Sequence, residues 1–388
     1  MHLHGTAAIA LLGIVAAFKI TEHDKLAAEG LAKVVDDVAT HGYPKPGTCT
    51  LQTAHVRKEW SQLTTPEKLN YIDAIKCIHS KPALTPSSVA SGAKNRYDDF
   101  VVTHILQTCS VHGTANFLAW HRYFIYAYEQ LLRTECGLEG YLPYYNWAWW
   151  HEDPANSPLF DGSATSIGSG GTYVPGRNYT CIPNDQPLVC PIKLPPGSGG
   201  GCIIGPLANW TMSLGPIQST FEGVKPNPQA DGLGYNPRCL SRDVSKDAAY
   251  GSRDEEIMAL ITGNNNILDF QNRMQGDFAN KYIGVHTAGH YTIGGDAGSD
   301  FFNSPSDPAF FFHHAMIDRV WWIWQNQNLE TRREQLMGTI TFLNTPPSRN
   351  GTLEDVLSLG PMFEQQFPNV TNADAMSTIG GPFCYLYG

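Results

Sequence analysis

The sequence lacks several features that mark common classes of protein. Only 16% of its 388 residues are charged, the formal net charge is −10, and no long cluster of lysine or arginine occurs. Nucleic acids and anionic membranes bind through basic surfaces, so neither is an expected partner. Beyond the N-terminus, no apolar run approaches the roughly 20 residues of a membrane-spanning helix. With 42% hydrophobic residues, the composition predicts a globular protein with a sizeable core.

The cysteines form no CxxC pair of the zinc-binding kind. The chain has nine, and in an exported protein such scattered cysteines indicate disulfides. An odd number leaves at least one thiol free or otherwise engaged. The nine lie at positions 49, 77, 109, 136, 181, 190, 202, 239 and 384.

The N-terminus and four glycosylation sequons together predict a secreted, extracellular protein. Residues 7–17 are apolar and end in small residues, which is typical of a signal peptide spanning 1–17. The n-region offers histidines instead of lysine or arginine, and a buried N-terminal helix is the alternative. The sequons begin at Asn178, Asn209, Asn350 and Asn369.

Helical patterns occupy two regions on either side of a segment rich in glycine, proline and cysteine. We interpret this segment, about 152–243, as a surface excursion of a single domain spanning 18–388, because it has no hydrophobic period of its own. A linker between two domains is the alternative. The predicted helices are 24–39, 65–79, 95–108, 118–136, 254–262, 266–275, 278–290 and 307–327.

Six histidines fall into two widely separated sets with the spacing of metal ligands. His286 and His290 are four residues apart and share one face of a helix, and His314 can join them from the next helix. The first set has two helical members and one in the turn between them. Three imidazoles gathered in the core of a helix bundle are a recurrent metal site. The first set is His104, His112 and His121.

The ligand type narrows the choice of metal. All-imidazole sites suit zinc, copper, iron or nickel. The zinc-hydrolase pattern HExxH requires glutamate where this sequence has Thr287, and the glutamates of di-iron bundles are absent as well. Paired copper is what remains. His313, next to His314, is expected to support the site or to pack beside it.

Two longer motifs carry a resemblance to a known family. Residues 117–124 (FLAWHRYF) and 142–147 (LPYYNW) resemble the first copper region of the tyrosinase and catechol oxidase family. Residues 307–321 (DPAFFFHHAMIDRVW) resemble its second copper region. The resemblance covers about 95–325 and is strongest to short secreted fungal polyphenol oxidases, which end without a shielding C-terminal domain.

The resemblance implies a mainly α fold, with long loops and few short strands around a central four-helix bundle. Two coppers would be held there, CuA by His104, His112 and His121 and CuB by His286, His290 and His314. O2 would be the co-substrate and small phenols the substrates, with o-diphenols oxidised to o-quinones. Asp318, four residues after His314, is a candidate supporting carboxylate.

Three positions bear on the finer activity. Relatives that hydroxylate monophenols often carry asparagine directly after the first CuB histidine, where this chain has Thr287. A bulky gate residue is typical of catechol oxidases thirteen positions before the last CuB histidine, and here it is Phe301. Both favour diphenol oxidation, with a tyrosinase that hydroxylates monophenols as the alternative. Cys109 is a candidate for the thioether that many eukaryotic members form to the second CuA histidine, although it precedes His112 by three residues instead of two.

Three other functions remain open at this stage. A haemocyanin-like O2-binding protein would use the same site without turnover, a binuclear zinc hydrolase would use the histidines with another metal, and a secreted structural protein would use neither. The sequence is silent on oligomeric state.

Overall fold

The chain is mainly helical, as predicted. A computed structural model describes residues 20–45, 49–184, 189–218 and 221–388, so the predicted signal peptide lies outside the described residues. None of the described helices is long and apolar enough to cross a membrane. The helices are α1 Glu22–His41, α2 Thr65–Ser80, α3 Asp98–Val111, α4 Phe117–Cys136, α5 Trp147–Trp150, α6 Lys246–Ala249, α7 Asp254–Gly263, α8 Ile267–Gln275, α9 Val285–Ile293, α10 Gly295–Gly298, α11 Ala309–Gln327 and α12 Leu329–Arg332.

Local signals explain where the long helices begin and end. At the start of α2, the Thr64 side chain accepts from the Glu67 backbone N–H, and the Glu67 carboxylate accepts from the Thr64 backbone N–H at 2.7 Å. This capping box satisfies backbone donors that a helix leaves unpaired. At the end of α4, Gly137 adopts the left-handed conformation (φ 67°) and terminates the helix.

One predicted helix is wrong. In place of a continuous helix over 278–290, the chain forms a single 3₁₀ turn at Phe278–Asn280 and then, after a break, helix α9. Lys281 and Gly284 both have positive φ (58° and 71°), which a right-handed helix does not allow. The break resets the helix so that His286 and His290 lie on its first two turns.

The strands are short, and within the described residues they form two-stranded pairs only. The pair β1–β8 is parallel and joins the N-terminal part of the chain to its C-terminal end, with Val56 opposite Leu386. The strands are β1 His55–Arg57, β2 Thr180–Ile182, β3 Ile192–Leu194, β4 Thr211–Met212, β5 Arg238–Cys239, β6 Val356–Leu357, β7 Val370–Thr371 and β8 Tyr385–Tyr387.

Helices α4 and α11 form the centre of the core. In α11 every residue from Ala309 to Asn326 is buried, and α4 is buried over most of its length. A helix that is buried all round must be surrounded by other elements. Here α1 packs on α11, α2 packs on α4, and α3 and α9 complete the bundle around the histidines.

The 152–243 segment packs into this core. Its buried apolar side chains, including Phe160, Ile167 and Trp210, belong to the same hydrophobic cluster as α4 and α11. The predicted disulfides are present, and Cys109 is the free thiol. The bonds are Cys49–Cys384, Cys77–Cys136, Cys181–Cys190 and Cys202–Cys239.

Candidate metal centre

Four helices bring the six predicted histidines together. His104 lies on α3, His121 on the first turn of α4, and His112 caps the C-terminal end of α3. His286 and His290 lie on α9, and His314 lies on α11. In each set the nitrogen atoms that could bind a metal lie within 4.8 Å of one another.

In the first set, backbone carbonyls fix each imidazole ring. Nδ1 of His104 lies 2.7 Å from the Phe302 carbonyl oxygen. Nδ1 of His121 lies 2.7 Å from the Phe117 carbonyl oxygen, and Nδ1 of His112 lies 3.0 Å from that of Thr108. A carbonyl only accepts, so each Nδ1 must carry the proton and each Nε2 keeps a free lone pair. These are the tautomers that a metal requires.

In the second set, the Nε2 atoms point at one another. Nε2 of His290 lies 3.2 Å from Nε2 of both His286 and His314. An imidazole nitrogen carries either one proton or one lone pair, so ordinary hydrogen bonding accounts for only one of these two contacts. Nitrogens bound tetrahedrally at about 2.0 Å to one metal ion are about 3.3 Å apart, which is close to the observed spacing.

The two sets lie next to each other. The rings of His121 and His314 stack with centroids 4.5 Å apart and planes 15° apart. His112 and His286 lie at a centroid distance of 6.0 Å. Two ions held by the two sets would therefore be neighbours, and a small molecule could touch both.

Burial sets the charge of these side chains. It lowers the pKa of His112 to about 4. It also brings the pKa values of the other five histidines well below their ordinary value, with neighbouring imidazoles adding to the effect. The histidines are therefore neutral at neutral pH, and neutral imidazole is the form that binds metal.

The donor set fits a pair of copper ions. Nε2 of His104 and of His121 are buried and have no hydrogen-bond partner among the described residues. Both clusters consist of histidines alone, without a carboxylate or a thiolate. Imidazole-only ligation disfavours magnesium, calcium and manganese and suits copper or zinc.

Comparison with known proteins decides which metal these histidines hold. The model of the family described as the common central domain of tyrosinase matches residues 94–327. The chain belongs to the tyrosinase family. It is thus a type 3 copper oxidoreductase, and the two histidine clusters fit the CuA and CuB sites of its dicopper centre.

The relatives support this placement over most of the chain. The tyrosinase-like protein orsC of Emericella nidulans is 43% identical and covers 78% of this chain and 82% of its own. Tyrosinase P of Aspergillus terreus is 36% identical, with coverages of 86% and 91%. A mutant polyphenol oxidase from Thermothelomyces thermophila has a similar structure, with a TM-score of 0.85, 39% identity and coverages of 94% and 97%.

The two predicted pocket residues of this tyrosinase-family protein lie beside the histidine sets. The Phe301 ring lies 4.7 Å from the His112 ring, and Thr287 follows His286 on α9. Both side chains are half-buried. The Thr287 hydroxyl donates to the Gln275 carbonyl at 2.7 Å, and the Gln275 side chain accepts from the Gly113 N–H at 2.9 Å. Gln275 thus connects the chain next to His112 with the chain next to His286.

His313 packs against the second set through a glycine. Its buried ring lies 4.5 Å from the His290 ring, and a Cβ atom on Gly289 would fall 2.2 Å from its Cε1. Only glycine at 289 leaves room for this ring. Both ring nitrogens of His313 lack a hydrogen-bond partner among the described residues. Its predicted supporting role stays a prediction.

Asp318 has different partners from those expected. Its Oδ1 accepts from Arg122 Nε at 2.6 Å, and its Oδ2 accepts from the hydroxyls of Tyr385 and Tyr387, both at 2.6 Å. All the contacts that the structure gives it are therefore to arginine and tyrosine, including Arg57 at 3.6 Å. Opposite charge and the tyrosine hydroxyls thus hold this carboxylate in an ionic network, and its predicted supporting role near the copper ligands stays a prediction.

Sequence reasoning missed three contributors to the site. Phe310 stacks on His314 with ring centroids 4.1 Å apart, and Phe302 offers its backbone carbonyl to His104. Gly289 is the third. The phenylalanine run at 310–312 was visible as a motif. A backbone carbonyl that accepts a hydrogen bond leaves no signal in a single sequence, and neither does a glycine whose missing side chain makes room for a ring.

Proposed function

We propose that this protein oxidises o-diphenols to o-quinones, with CuA held by His104, His112 and His121 and CuB held by His286, His290 and His314. The bound coppers would supply electron transfer to O2. Each of two diphenols gives up two electrons and two protons. One O2 accepts the resulting four electrons and four protons and becomes two water molecules. The protein's part is to hold the ligands, to exclude water and to orient the phenol.

The observation that carries the diphenol preference is the hydrogen bond of Thr287. Its hydroxyl has a single proton, and that proton is donated to the Gln275 carbonyl at 2.7 Å. With this proton engaged, the hydroxyl can bond a nearby water only as an acceptor, and it orients a water that would deprotonate a monophenol less strictly than an amide that both donates and accepts. Family members that hydroxylate monophenols often have asparagine here, whose amide has two donor hydrogens.

Phe301 supports the same preference. Its ring covers His112 at a centroid distance of 4.7 Å and narrows the approach to the first histidine set. One relative, named N-acetyl-6-hydroxytryptophan oxidase, from Emericella nidulans, is 33% identical and covers 87% of this chain and 93% of its own. That name suggests that hydroxylated aromatic rings larger than catechol also fit such a site.

Oxygen consumption on matched substrates tests the proposal. With copper quantified in the same sample, we expect rapid O2 uptake with 4-tert-butylcatechol and at least about tenfold slower uptake with 4-tert-butylphenol. Thr287→Asn should raise the monophenol rate, whereas Thr287→Val, which removes the hydroxyl without adding a donor, should not.

Four outcomes would contradict the proposal in different ways. Equal rates on both substrates would indicate a tyrosinase. O2 binding without quinone would indicate a carrier, and two zinc ions without copper would indicate a hydrolase. Protein without bound metal or activity would indicate a structural role.

Secretion and glycosylation are part of the proposal. The four disulfides fit an oxidising compartment, and all four sequon asparagines, Asn178, Asn209, Asn350 and Asn369, are exposed. Recovery of glycosylated protein from culture medium, with an N-terminus near residue 18, would support both. Retention in the cell without glycans would contradict them.

The thioether between Cys109 and His112 stays a prediction. Cys109 is exposed and unpaired, whereas the His112 ring is buried. The sulfur would have to turn inward to reach the ring. Intact mass analysis checks the bond, since its formation removes two hydrogens.

A further inference from the structure

A loop from another part of the chain lies beside the first histidine set. Residues 339–350 form a closed loop whose ends, Thr339 and Asn350, pair as a β-bridge. The Thr341 hydroxyl donates to the Pro346 carbonyl at 2.7 Å, and the Ser348 N–H donates to the Asn344 side chain at 2.9 Å. The 339–350 loop therefore has a defined shape of its own.

The tip of the 339–350 loop is fastened next to a predicted copper ligand. The Leu343 N–H donates to the carbonyl of Gly113, the residue after His112, at 3.2 Å. The contact is close, because a Cβ on Gly113 would lie 3.2 Å from Leu343 Cδ2 and 3.1 Å from Phe342 Cδ2. The tip thus lies directly over the chain that presents His112.

The aromatic rings continue this contact into the pocket. The Phe342 ring packs on Phe301 at 5.6 Å, and Phe301 packs on His112 at 4.7 Å. These three rings form a row from the loop tip to the histidine set. Leu343, beside the outer end of the row, is 68% exposed.

The conformation of Leu343 is unusual for its side chain. It lies in the left-handed region (φ 48°, ψ 32°), and Asn344 after it has φ 56°. Asparagine adopts this region readily, but leucine rarely does. An exposed leucine held in such a conformation by its surroundings is the kind of outlier that points to a contact with a ligand.

We propose that Leu343 is a specificity-determining residue that contacts the substituent opposite the reacting hydroxyls of a phenolic substrate and favours apolar substituents. The inference rests on the proposed function. A phenol that directs its hydroxyls toward the histidines points its 4-position away from them. Phe301, Phe342 and Leu343 follow one another outward from His112, and Leu343 is the most exposed of them. Contact there would remove apolar surface of both partners from water.

The test compares substrates that differ only at the 4-position. Leu343→Asn removes the apolar side chain and suits the left-handed backbone, and Leu343→Met retains an apolar group. With catechol we expect kcat and KM within twofold of the parent for both variants. With 4-tert-butylcatechol we expect KM to rise about four- to tenfold for Leu343→Asn only, as withdrawal of one or two methylenes from an apolar contact predicts.

A matched control and a measurement without turnover complete the design. Leu84→Asn replaces another exposed leucine (56% exposed) outside the site and should change neither substrate's KM. Calorimetric binding of 4-tert-butylbenzoate and benzoate to the copper-loaded protein should repeat the pattern: Leu343→Asn weakens only the first. Melting temperature and copper content show whether each variant is folded and loaded.

The possible results separate the two proposals. Equal changes for substituted and unsubstituted ligands, or no change for either, would overturn the role of Leu343. If the parent protein oxidises no diphenol, the proposed function fails, and the benzoate binding still decides whether Leu343 contacts the 4-substituent.

Discussion

Helix α11 carries two buried regions of opposite chemistry within five residues. At His314 it faces other imidazoles and aromatic rings, and the clusters that could hold metal contain only histidine. At Asp318 it faces two fully buried arginines, Arg57 and Arg122, and two tyrosine hydroxyls. Burial acts differently on the histidine region and on the region around Asp318. It keeps the histidines neutral. Around Asp318, each buried charge requires its partner of opposite charge.

The difference between these two regions shows how the fold keeps carboxylates out of its histidine clusters. A carboxylate beside the histidines would compete as an oxygen ligand and would favour harder metals. The nearest carboxylate on α11 is drawn away by Arg122 on α4 and by the C-terminal strand β8. One residue farther along α11, Arg319 pairs with Asp24 of α1 at 2.9 Å. The charged side chains of this stretch of α11 are thus paired with other charged groups and do not belong to the histidine clusters.

The largest effect is expected from His290→Ala in the histidine region. Its Nε2 lies 3.2 Å from both partners, so its loss removes the central ligand of the second set. We expect copper to fall from two ions per chain to one and oxidase activity to fall at least about a thousandfold, because both metals are needed. His41→Ala, at an exposed position, is the control. Retained oxidase activity in H290A would contradict the assignment of His290 to CuB.

The ionic region should respond in stability instead of copper content. Asp318→Asn leaves the buried cations of Arg57 and Arg122 without this anion, and we expect a loss of about 3–5 kcal/mol in the free energy of unfolding. Copper should stay at two per chain. Urea denaturation measures the first quantity and metal analysis the second.

An exposed pair provides the matched comparison for Asp318. Asp355→Asn breaks an ion pair with Arg349, whose side chain is 56% exposed. The expected loss is much smaller than that of Asp318→Asn, because solvent screens surface pairs. Loss of copper from Asp318→Asn at unchanged folding would show that the ionic region and the histidine region are coupled.

A smaller effect than that of Asp318→Asn concerns Asp24 and depends on pH. Burial alone would raise its pKa, but Arg319, His23 and hydrogen bonds from Thr21 outweigh it and lower the pKa to about 2 from the ordinary 3.8. A carboxylate with a lowered pKa stabilises the fold above about pH 4, and this contribution disappears as the pH falls through about 2. Asp24→Asn should therefore cost about 2 kcal/mol at pH 6 and almost nothing near pH 2.

Parallel urea titrations of the two proteins at several pH values measure that difference. A cost that stays constant with pH would mean that Asp24 acts through hydrogen bonding and packing, such as its contacts with Trp149 at 3.0 Å and Asn146 at 3.3 Å, and not through its charge.

Several parts of this structure were predictable from the sequence. Start signals of helices are local, so Thr65-Pro66-Glu67 predicted the start of α2, although the residue that caps it is Thr64. The spacing of His286 and His290 placed both on one helix face. The break before α9 was not predictable, because Lys281 adopts a left-handed conformation that lysine does not favour.

The partners of buried charges were equally hidden. Asp318 meets residues 57, 122, 385 and 387, which only the folded chain brings together. The carbonyl groups that orient the first histidine set carry no side-chain signal either. Pairwise contacts between distant segments are a property of tertiary packing, and a single sequence does not reveal them.

The Cys49–Cys384 disulfide has a consequence for the chain as a whole. It joins residues 335 positions apart, so all six histidines lie inside one covalent ring. A protease that cuts once in the exposed parts of the 152–243 segment would separate the histidine sets onto two pieces of chain, yet the pieces would remain one molecule. The ring lets the surface be nicked while the two metal-binding halves stay joined.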